Sequence, residues 1–112
     1  MKRIDAMVPS IKRNAIVHAI LNSGATGLTI AETRGRGSGE RPMVGGAKGT
    51  ARYVAEYNRT DCITTIVDDS KVQAVVNAIM NVANTGKQGD GKIFVSTVLD
   101  IYDIATKTKS SV

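Results

Sequence analysis

One stretch of the sequence combines residue types that could bind an anion. It runs from Thr85 to Val95, reads TGKQGDGKIFV, and threads three glycines between two lysines and one carboxylate. Glycine allows positive φ, so successive backbone N–H groups can point into one concavity where a lysine adds full charge. The stretch therefore predicts a phosphate-binding turn. The alternative is that the glycines only turn the end of a helix into a strand.

The same stretch contains the spacing G-x-x-x-x-G-K, from Gly86 to Lys92, which is typical of the phosphate loop of nucleotide hydrolases. In those proteins the lysine is followed by Ser or Thr, which binds Mg²⁺, and the loop opens a helix. Here Ile93 follows and begins an apolar run of strand character. Because both requirements fail, we reject the hydrolase motif.

Length and charge restrict the classes of protein that fit. The 112 residues suit one domain with a single small core. Fifteen Lys and Arg against ten Asp and Glu give a net charge of +5, which favours an anionic ligand, nucleic acid or an acidic partner surface. Tryptophan is absent, and the aromatic residues are one Phe and three Tyr, which counts against RNA binding by base stacking.

Cysteine and histidine each occur once, as Cys62 and His18, which excludes an internal disulfide and a Cys/His zinc cluster. Cys62 lies in an apolar run and is predicted to be a buried, inert thiol. His18 is predicted to lie on the surface of a helix. No apolar run approaches the roughly 18 residues of a membrane span, and the N-terminus resembles no signal peptide. We therefore expect a cytoplasmic protein that does not insert into a membrane.

Hydrophobic periodicity predicts the element order β-α-β-β-α-β. Strands are predicted at residues 2–8, 28–33, 60–67 and 93–99, and helices at residues 11–22 and about 70–85. Ser10 is predicted to N-cap the first helix. Ser70 and Gln73 are predicted to form a capping box at the start of the second.

Two segments lie outside this pattern. Residues 35–58 hold six of the eleven glycines and have no helical stripe or alternation, which predicts a mobile functional loop. The alternative is a solvated insertion with no task. Near the C-terminus, residues 100–104 are predicted to extend as an edge strand, and residues 106–112 to form a frayed tail.

The element order predicts an α+β, ferredoxin-like fold. Right-handed crossovers would place both helices on one face of a four-stranded antiparallel sheet. The other face is left bare, and we predict that it carries Ile4, Ile30, Ile63 or their neighbours. An apolar face of this size needs a partner, so we expect a homo-oligomer.

The turn TGKQGDGKIFV, the opening MKRIDAMV, the segment GLTIAETRGRG and the long loop together resemble the PII nitrogen-regulatory signal-transduction family, up to about residue 106. The resemblance implies one PII-like domain over residues 1–112, assembled as a homotrimer that binds ATP or ADP between subunits. It also implies sensing of 2-oxoglutarate with Mg-ATP. A non-enzymatic regulator is implied, whose loop at 35–58, the family's T-loop, acts on an ammonium transporter or an enzyme of nitrogen metabolism.

Carried onto this sequence, the family's nucleotide site falls on these positions: Met7, Thr29, Gly35, Gly37, Ser38, Ile66, Gly89, Asp90, Gly91 and Lys92. The resemblance makes Lys92 the lysine that contacts phosphate. It also aligns Tyr53 with a loop tyrosine that some members have nucleotidylated. An unmodified, exposed tyrosine is the alternative for Tyr53.

The sequence departs from the family's pattern at Gly39, Thr60, Asp103 and Ala105. Gly39 stands where the family has a glutamine that contacts Mg²⁺ and 2-oxoglutarate, and Thr60 stands where it has a lysine for the 2-oxoglutarate carboxylate. The last two positions replace phosphate-binding arginines, so that charge is absent or comes from Lys107 or Lys109. We therefore expect nucleotide binding, while the departures count against Mg²⁺ and 2-oxoglutarate binding.

Two other functional classes stay open as alternatives. A nucleic-acid-binding ferredoxin-like module fits the charge and the topology, although aromatic residues for stacking are scarce on the strands. A nucleotide hydrolase could use Asp90 or Glu32 as a base, although the sequence contains no evident nucleophile–base pair or carboxylate cluster.

Overall fold

The structure of the protein is a computed structural model that describes residues 1–45 and 52–112. Its strands are β1 (Lys2–Pro9), β2 (Thr29–Gly35), β3 (Met43–Gly45), β4 (Arg52–Val54), β5 (Asn58–Val67), β6 (Lys92–Thr97), β7 (Ile101–Asp103) and β8 (Thr108–Ser110). Its helices are α1 (Arg13–Asn22) and α2 (Val72–Ala83). A single 3₁₀ turn precedes each of them, at Ser10–Lys12 and at Asp69–Lys71.

The central sheet has the strand order β2-β5-β1-β6, and every neighbouring pair in it is antiparallel. The two strands joined by the long loop, β2 and β5, lie side by side, and β1 lies at the centre between β5 and β6. With α1 and α2 inserted in the predicted order, this is the ferredoxin-like α+β arrangement. The predicted fold is confirmed.

The core lies between the helices and one face of the sheet. Alternate residues of β1 and β5 point into it because strand side chains alternate between faces, and α1 and α2 cover them with one stripe each. The buried apolar residues are Ile4, Ala6, Val8, Ile16, Ile20, Ala25, Ile63, Val67, Val75, Ile79 and Ala83. Burying each Ile or Val side chain of this set contributes about 1.5–3 kcal/mol.

The prediction for the bare face of the sheet was wrong about the three isoleucines that it named. Ile4 and Ile63 are fully buried beneath the helices, and Ile30 pairs directly with Ile63 and so shares its face. The strand period of two therefore turns the odd residues of β5 inward and the even ones outward. Cys62, predicted to be buried, is only half-buried for the same reason. On β6, Phe94 lies opposite Asp5 of β1 and adds an exposed aromatic ring to the face of the sheet that the helices leave open.

Both predicted helix caps were also wrong. The Ser10 hydroxyl does not cap α1 and instead donates to Asp61 Oδ1, at 3.3 Å. Before α2, Asp68 caps the 3₁₀ turn at Asp69–Lys71: its Oδ2 accepts from the Ser70 N–H at 3.2 Å and from the Ser70 hydroxyl at 2.7 Å. The inserted 3₁₀ turn moves the capping position toward the N-terminus, where a carboxylate is the stronger acceptor.

The long loop and the C-terminus contain more structure than their sequences indicated. In the loop, β3 and β4 form an antiparallel ribbon, while predictions that concern residues 46–51 lie outside the described residues. At the C-terminus, β7 and β8 form a hairpin of their own instead of an edge strand and a frayed tail. Asp103 sets its turn by accepting from the Ala105 N–H, at 2.8 Å.

Candidate functional site

The glycine-rich turn at residues 85–91 connects the end of α2 to the start of β6. Gly86, Gly89 and Gly91 all have positive φ, at 79°, 95° and 112°. At Gly91 the space is also restricted, because an added Cβ would overlap the carbonyl oxygen of Met7 on β1. Only glycine can adopt this conformation so close to the neighbouring strand.

Asp90 closes the turn on itself. Its carboxylate accepts from the Thr85 N–H at 2.7 Å, the Gly86 N–H at 3.0 Å and the Thr85 hydroxyl. The Lys12 ammonium donates to it at 2.8 Å. These hydrogen bonds, with that from Lys12 the largest cause, hold the pKa of Asp90 well below its usual range. The carboxylate is therefore ionised at neutral pH and fully engaged in holding the turn.

Lys12 is a residue of this site that the sequence reasoning missed. Its Nζ donates to Asp90 and also to the carbonyl oxygen of Ala83 at 2.6 Å, at the negative end of the α2 dipole. The side chain is mostly buried. The predicted topology contained a signal for Lys12. In a ferredoxin-like sheet β1 and β6 are antiparallel neighbours, so the residues that follow β1 lie close to the turn that precedes β6.

The base of the long loop lies directly against the turn. A Cβ added to Gly39 would lie 2.8 Å from the Gly89 Cα, so the two backbones meet with no room for a side chain. Beside this contact lies a cleft of about 920 Å³, here called the loop-side cleft. Its lining includes Ser38, Gly39, Arg41, Arg59, Lys87 and Gly89.

The predicted nucleotide-site residues fall into two groups within the chain. The turn residues Gly89, Asp90, Gly91 and Lys92 lie together, Met7 is the direct partner of Lys92 in the β1–β6 ladder, and Ser38 lines the loop-side cleft with Gly89. Lys92 is exposed.

The second group contains Thr29 and Ile66, on the part of the sheet away from the turn. Thr29 is on β2 and Ile66 is on β5, while Lys92 is on the opposite edge strand. Three strand spacings separate β2 from β6, roughly 14 Å. At the base of the loop, a Cβ added to Gly35 would lie 3.1 Å from the Thr60 side chain, whereas a Cβ added to Gly37 would meet nothing within 4 Å.

Two further predicted positions are on outlying strands. Tyr53 is exposed on β4, opposite Val44. In the C-terminal hairpin, Lys109 forms an ion pair with Asp100 at 3.3 Å and lies 6.0 Å from the centre of the Tyr102 ring. Its charge is therefore already partly neutralised.

The fold and the site define a class: a ferredoxin-like α+β protein in which a fixed glycine turn meets the base of a long loop. A family model described as "Nitrogen regulatory protein P-II" matches residues 1–108. The chain is 34% identical over 113 residues to the nitrogen regulatory protein P-II of Nostoc punctiforme, covering 99% of this chain and 97% of that protein. It is 35% identical over 108 residues to the nitrogen regulatory protein P-II 1 of Escherichia coli, covering 95% and 93%.

The chain therefore belongs to the nitrogen regulatory protein P-II family. Membership supports a role in nitrogen-regulatory signal transduction. Of the helices within residues 1–45 and 52–112, none has the length and apolar character required to span a bilayer.

Proposed function

We propose that this protein is a non-enzymatic, cytoplasmic regulator of nitrogen metabolism that binds ATP or ADP at the turn 85–91. It acts as a homotrimer and uses the loop at residues 35–58 to control a target, an ammonium transporter or an enzyme of nitrogen metabolism. The observation that carries the proposal is the backbone contact between Gly39 and Gly89, since a ligand on the turn meets the base of the loop. A ligand that prefers one arrangement of this contact shifts the population of loop conformations.

The electrostatics of the turn support a polyphosphate ligand. The Asp90 carboxylate by itself would repel a phosphate. Its charge is neutralised by Lys12, however, and its oxygens face the N–H groups of Thr85 and Gly86. The N–H groups of Gln88 and Gly89 are not taken up by Asp90, and both residues line the loop-side cleft. Within the described part of the chain, Lys87 and Lys92 form no ion pair, so both cations are available to phosphate oxygens.

The division of the predicted residues between two sheet edges supports a site shared by two subunits. Thr29 and Lys92 lie on opposite edge strands, β2 and β6. A neighbouring copy that packs on the open face would bring its own edge strand next to the turn. That face has apolar side chains to bury, including Met7, Ile66 and Phe94.

We expect 2-oxoglutarate and Mg²⁺ to add little to nucleotide binding. Gly39 offers no side chain as a ligand, and its contact with Gly89 leaves no room for one. The hydroxyl of Thr60 is already bonded to that of Thr33, at 2.6 Å. Among the described residues that line the loop-side cleft, Glu40 is the one carboxylate, so the cleft fits a Mg²⁺ site poorly.

The two alternative classes gain no support from the described residues. As a catalytic base Asp90 is unsuitable, because its lowered pKa and its hydrogen bonds leave it little affinity for a proton. For a nucleic-acid module, Phe94 is the one aromatic side chain on the described strands of the central sheet, too few for a stacking platform.

The test is a calorimetric titration with ATP and with ADP on the wild type, Lys92→Ala and the control Lys71→Ala. Lys71 is also exposed but precedes α2, at the opposite end of that helix from the turn. Lys92→Ala should bind nucleotide at least about tenfold more weakly, because a charge-assisted contact is lost, while the control matches the wild type. A wild type that binds neither nucleotide at millimolar concentration contradicts the proposal.

The same titrations are repeated with 2-oxoglutarate, with and without Mg²⁺. They test the expectation that neither ligand adds much to nucleotide binding. Light scattering on the eluting protein tests the trimer. Tyr53, exposed on β4, is the position at which mass spectrometry of protein from cells should be examined for nucleotidylation.

A further inference from the structure

A second cleft lies on the side of the sheet covered by the helices, where β2 ends and β5 begins. It has a volume of about 540 Å³ and is lined by three arginines, Arg13, Arg34 and Arg59, together with Glu32. We call it the arginine cleft. It adjoins the loop-side cleft, since Ser10, Arg59 and Thr60 line both, but Arg34 lines only the first and Arg41 only the second.

Two of these arginines oppose each other directly. Arg34 on β2 and Arg59 on β5 are register partners in the antiparallel ladder, and both are exposed. Side chains of direct partners leave the same face with Cβ atoms about 4.5–5.5 Å apart, where like charges repel. Such a pair is unfavourable by itself, and an anion placed between the guanidinium groups would remove the repulsion.

Both carboxylates near Arg34 and Arg59 pair with the third arginine, Arg13. Asp61, which is fully buried, accepts from the Ser10 hydroxyl and from Arg13, each at 3.3 Å. Glu32 also pairs with Arg13, at 3.5 Å. Within residues 1–45 and 52–112, neither Arg34 nor Arg59 forms an ion pair. The lining of the arginine cleft thus carries three positive charges against the one negative charge of Glu32, which is paired with Arg13.

We propose that the arginine cleft binds an oxyanion, a phosphate or carboxylate group held between Arg34 and Arg59. Guanidinium groups match the planar or tetrahedral oxygens of such anions and bind them through paired N–H donors. The site lies where the long loop leaves and re-enters the sheet, since Gly35 ends β2 and Asn58 begins β5. A bound anion thus joins the two stems of the loop.

The first test follows the side-chain Nε–Hε signals of the arginines by NMR during titration with inorganic phosphate at constant ionic strength. Saturable shifts are expected at Arg34 and Arg59 in the wild type. They should be lost in Arg34→Met and kept in the matched control Arg41→Met. Shifts that grow linearly without saturation overturn the proposal. So does loss of saturable binding in Arg41→Met with retention in Arg34→Met, which would assign the anion to the loop-side cleft.

The second test uses thermal unfolding, which also verifies that the variants fold. In chloride alone, Arg34→Met should melt about 1–4 °C above the wild type, because the repulsion from Arg59 is removed. Replacing chloride with phosphate should raise the melting temperature of the wild type and of Arg41→Met by more than that of Arg34→Met, which keeps only the general stabilisation by phosphate. An equal phosphate effect in all three proteins overturns the proposal.

Two further arms separate the sources of the oxyanion and keep this site apart from the nucleotide site. Succinate replaces phosphate in one arm, and a saturable response to only one of the two anions identifies the group bound. In the other arm, phosphate is titrated into Lys92→Ala. The cleft should keep its affinity there, whereas loss of binding would place the phosphate at the turn and overturn the proposal.

Discussion

The protein has two glycine-rich segments that behave differently. The turn at 85–91 contains three glycines, all with positive φ, and Asp90 bonds it to its own backbone and to Lys12. The loop at 35–58 contains six glycines, and of those described only Gly45 has positive φ. The comparison teaches that glycine content alone does not decide backbone conformation. A carboxylate within reach of several N–H groups and a lysine converts a flexible composition into a fixed conformation.

The largest expected effect comes from breaking the turn at Gly91. In Gly91→Ala the new Cβ would overlap the Met7 carbonyl, and the residue would have to keep a φ of 112°. The free energy of unfolding should fall by roughly 2–4 kcal/mol, measured by urea denaturation.

The matched control for that change comes from the loop. At Gly37 a Cβ meets nothing within 4 Å, so Gly37→Ala should change the free energy of unfolding by less than about 0.5 kcal/mol. Equal losses in the two variants would contradict the distinction drawn between the two segments.

Removing the lysine that holds the turn should act mainly on ligand binding. In Lys12→Met, Asp90 and the Ala83 carbonyl both lose a charged donor. Loss of such a bond, and of the preorganised turn, should weaken ATP binding roughly tenfold in calorimetry. Lys2→Met is the control. The Lys2 ammonium donates to the Thr97 hydroxyl, at the end of β1 that is farther from the turn. Unchanged affinity in Lys12→Met would mean that the turn is held without Lys12.

The Asp90 carboxylate makes the stability of the turn dependent on pH. Its pKa is lower in the folded protein than in the unfolded chain, so the ionised carboxylate stabilises the fold above the unfolded value of about 3.9. This stabilisation is lost as the pH falls below that value. The stability difference between the wild type and Asp90→Asn should therefore be constant near neutral pH and shrink below about pH 4, in urea denaturation at several pH values. A difference that is independent of pH would contradict the role of ionised Asp90.

A small effect on stability is expected at the contact between the two segments. A Cβ in Gly39→Ala would lie 2.8 Å from the Gly89 Cα, so the base of the loop must move away. Stability should change by less than about 1 kcal/mol, because the loop base buries little. Hydrogen exchange should nevertheless become faster at the amides of residues 36–42. Exchange as slow as in Gly37→Ala would show that this contact does not hold the loop.

Much of the fold could be predicted because the periodic signals were local. The first predicted strand, residues 2–8, is observed as Lys2–Pro9, and the third, residues 60–67, as Asn58–Val67. The predictions of the helix caps failed because a 3₁₀ turn precedes each helix. In the sequence, Ser10 and Ser70 have the residue type of a cap, but both lie within these 3₁₀ turns. The C-terminal hairpin was missed because its strands have only three residues each.

For the candidate site, the glycine turn was found because its residues are contiguous. The partners that fix it were not, since the Lys12–Asp90 bond joins residues 78 positions apart. The pairing of Arg34 with Arg59 likewise depends on the register between β2 and β5. No local pattern contains that register, because it is set by which residues of both strands face the core.

The sequence by itself determined the element order, the ferredoxin-like fold and the position of the turn, because hydrophobic periodicity and glycine content act locally along the chain. The tertiary structure alone decided that Ile4 and Ile63 lie in the core, that Lys12 holds Asp90, and that Gly39 rests on Gly89. Each of these depends on strand pairing and close packing between distant segments. Such contacts exist only once the whole chain has folded.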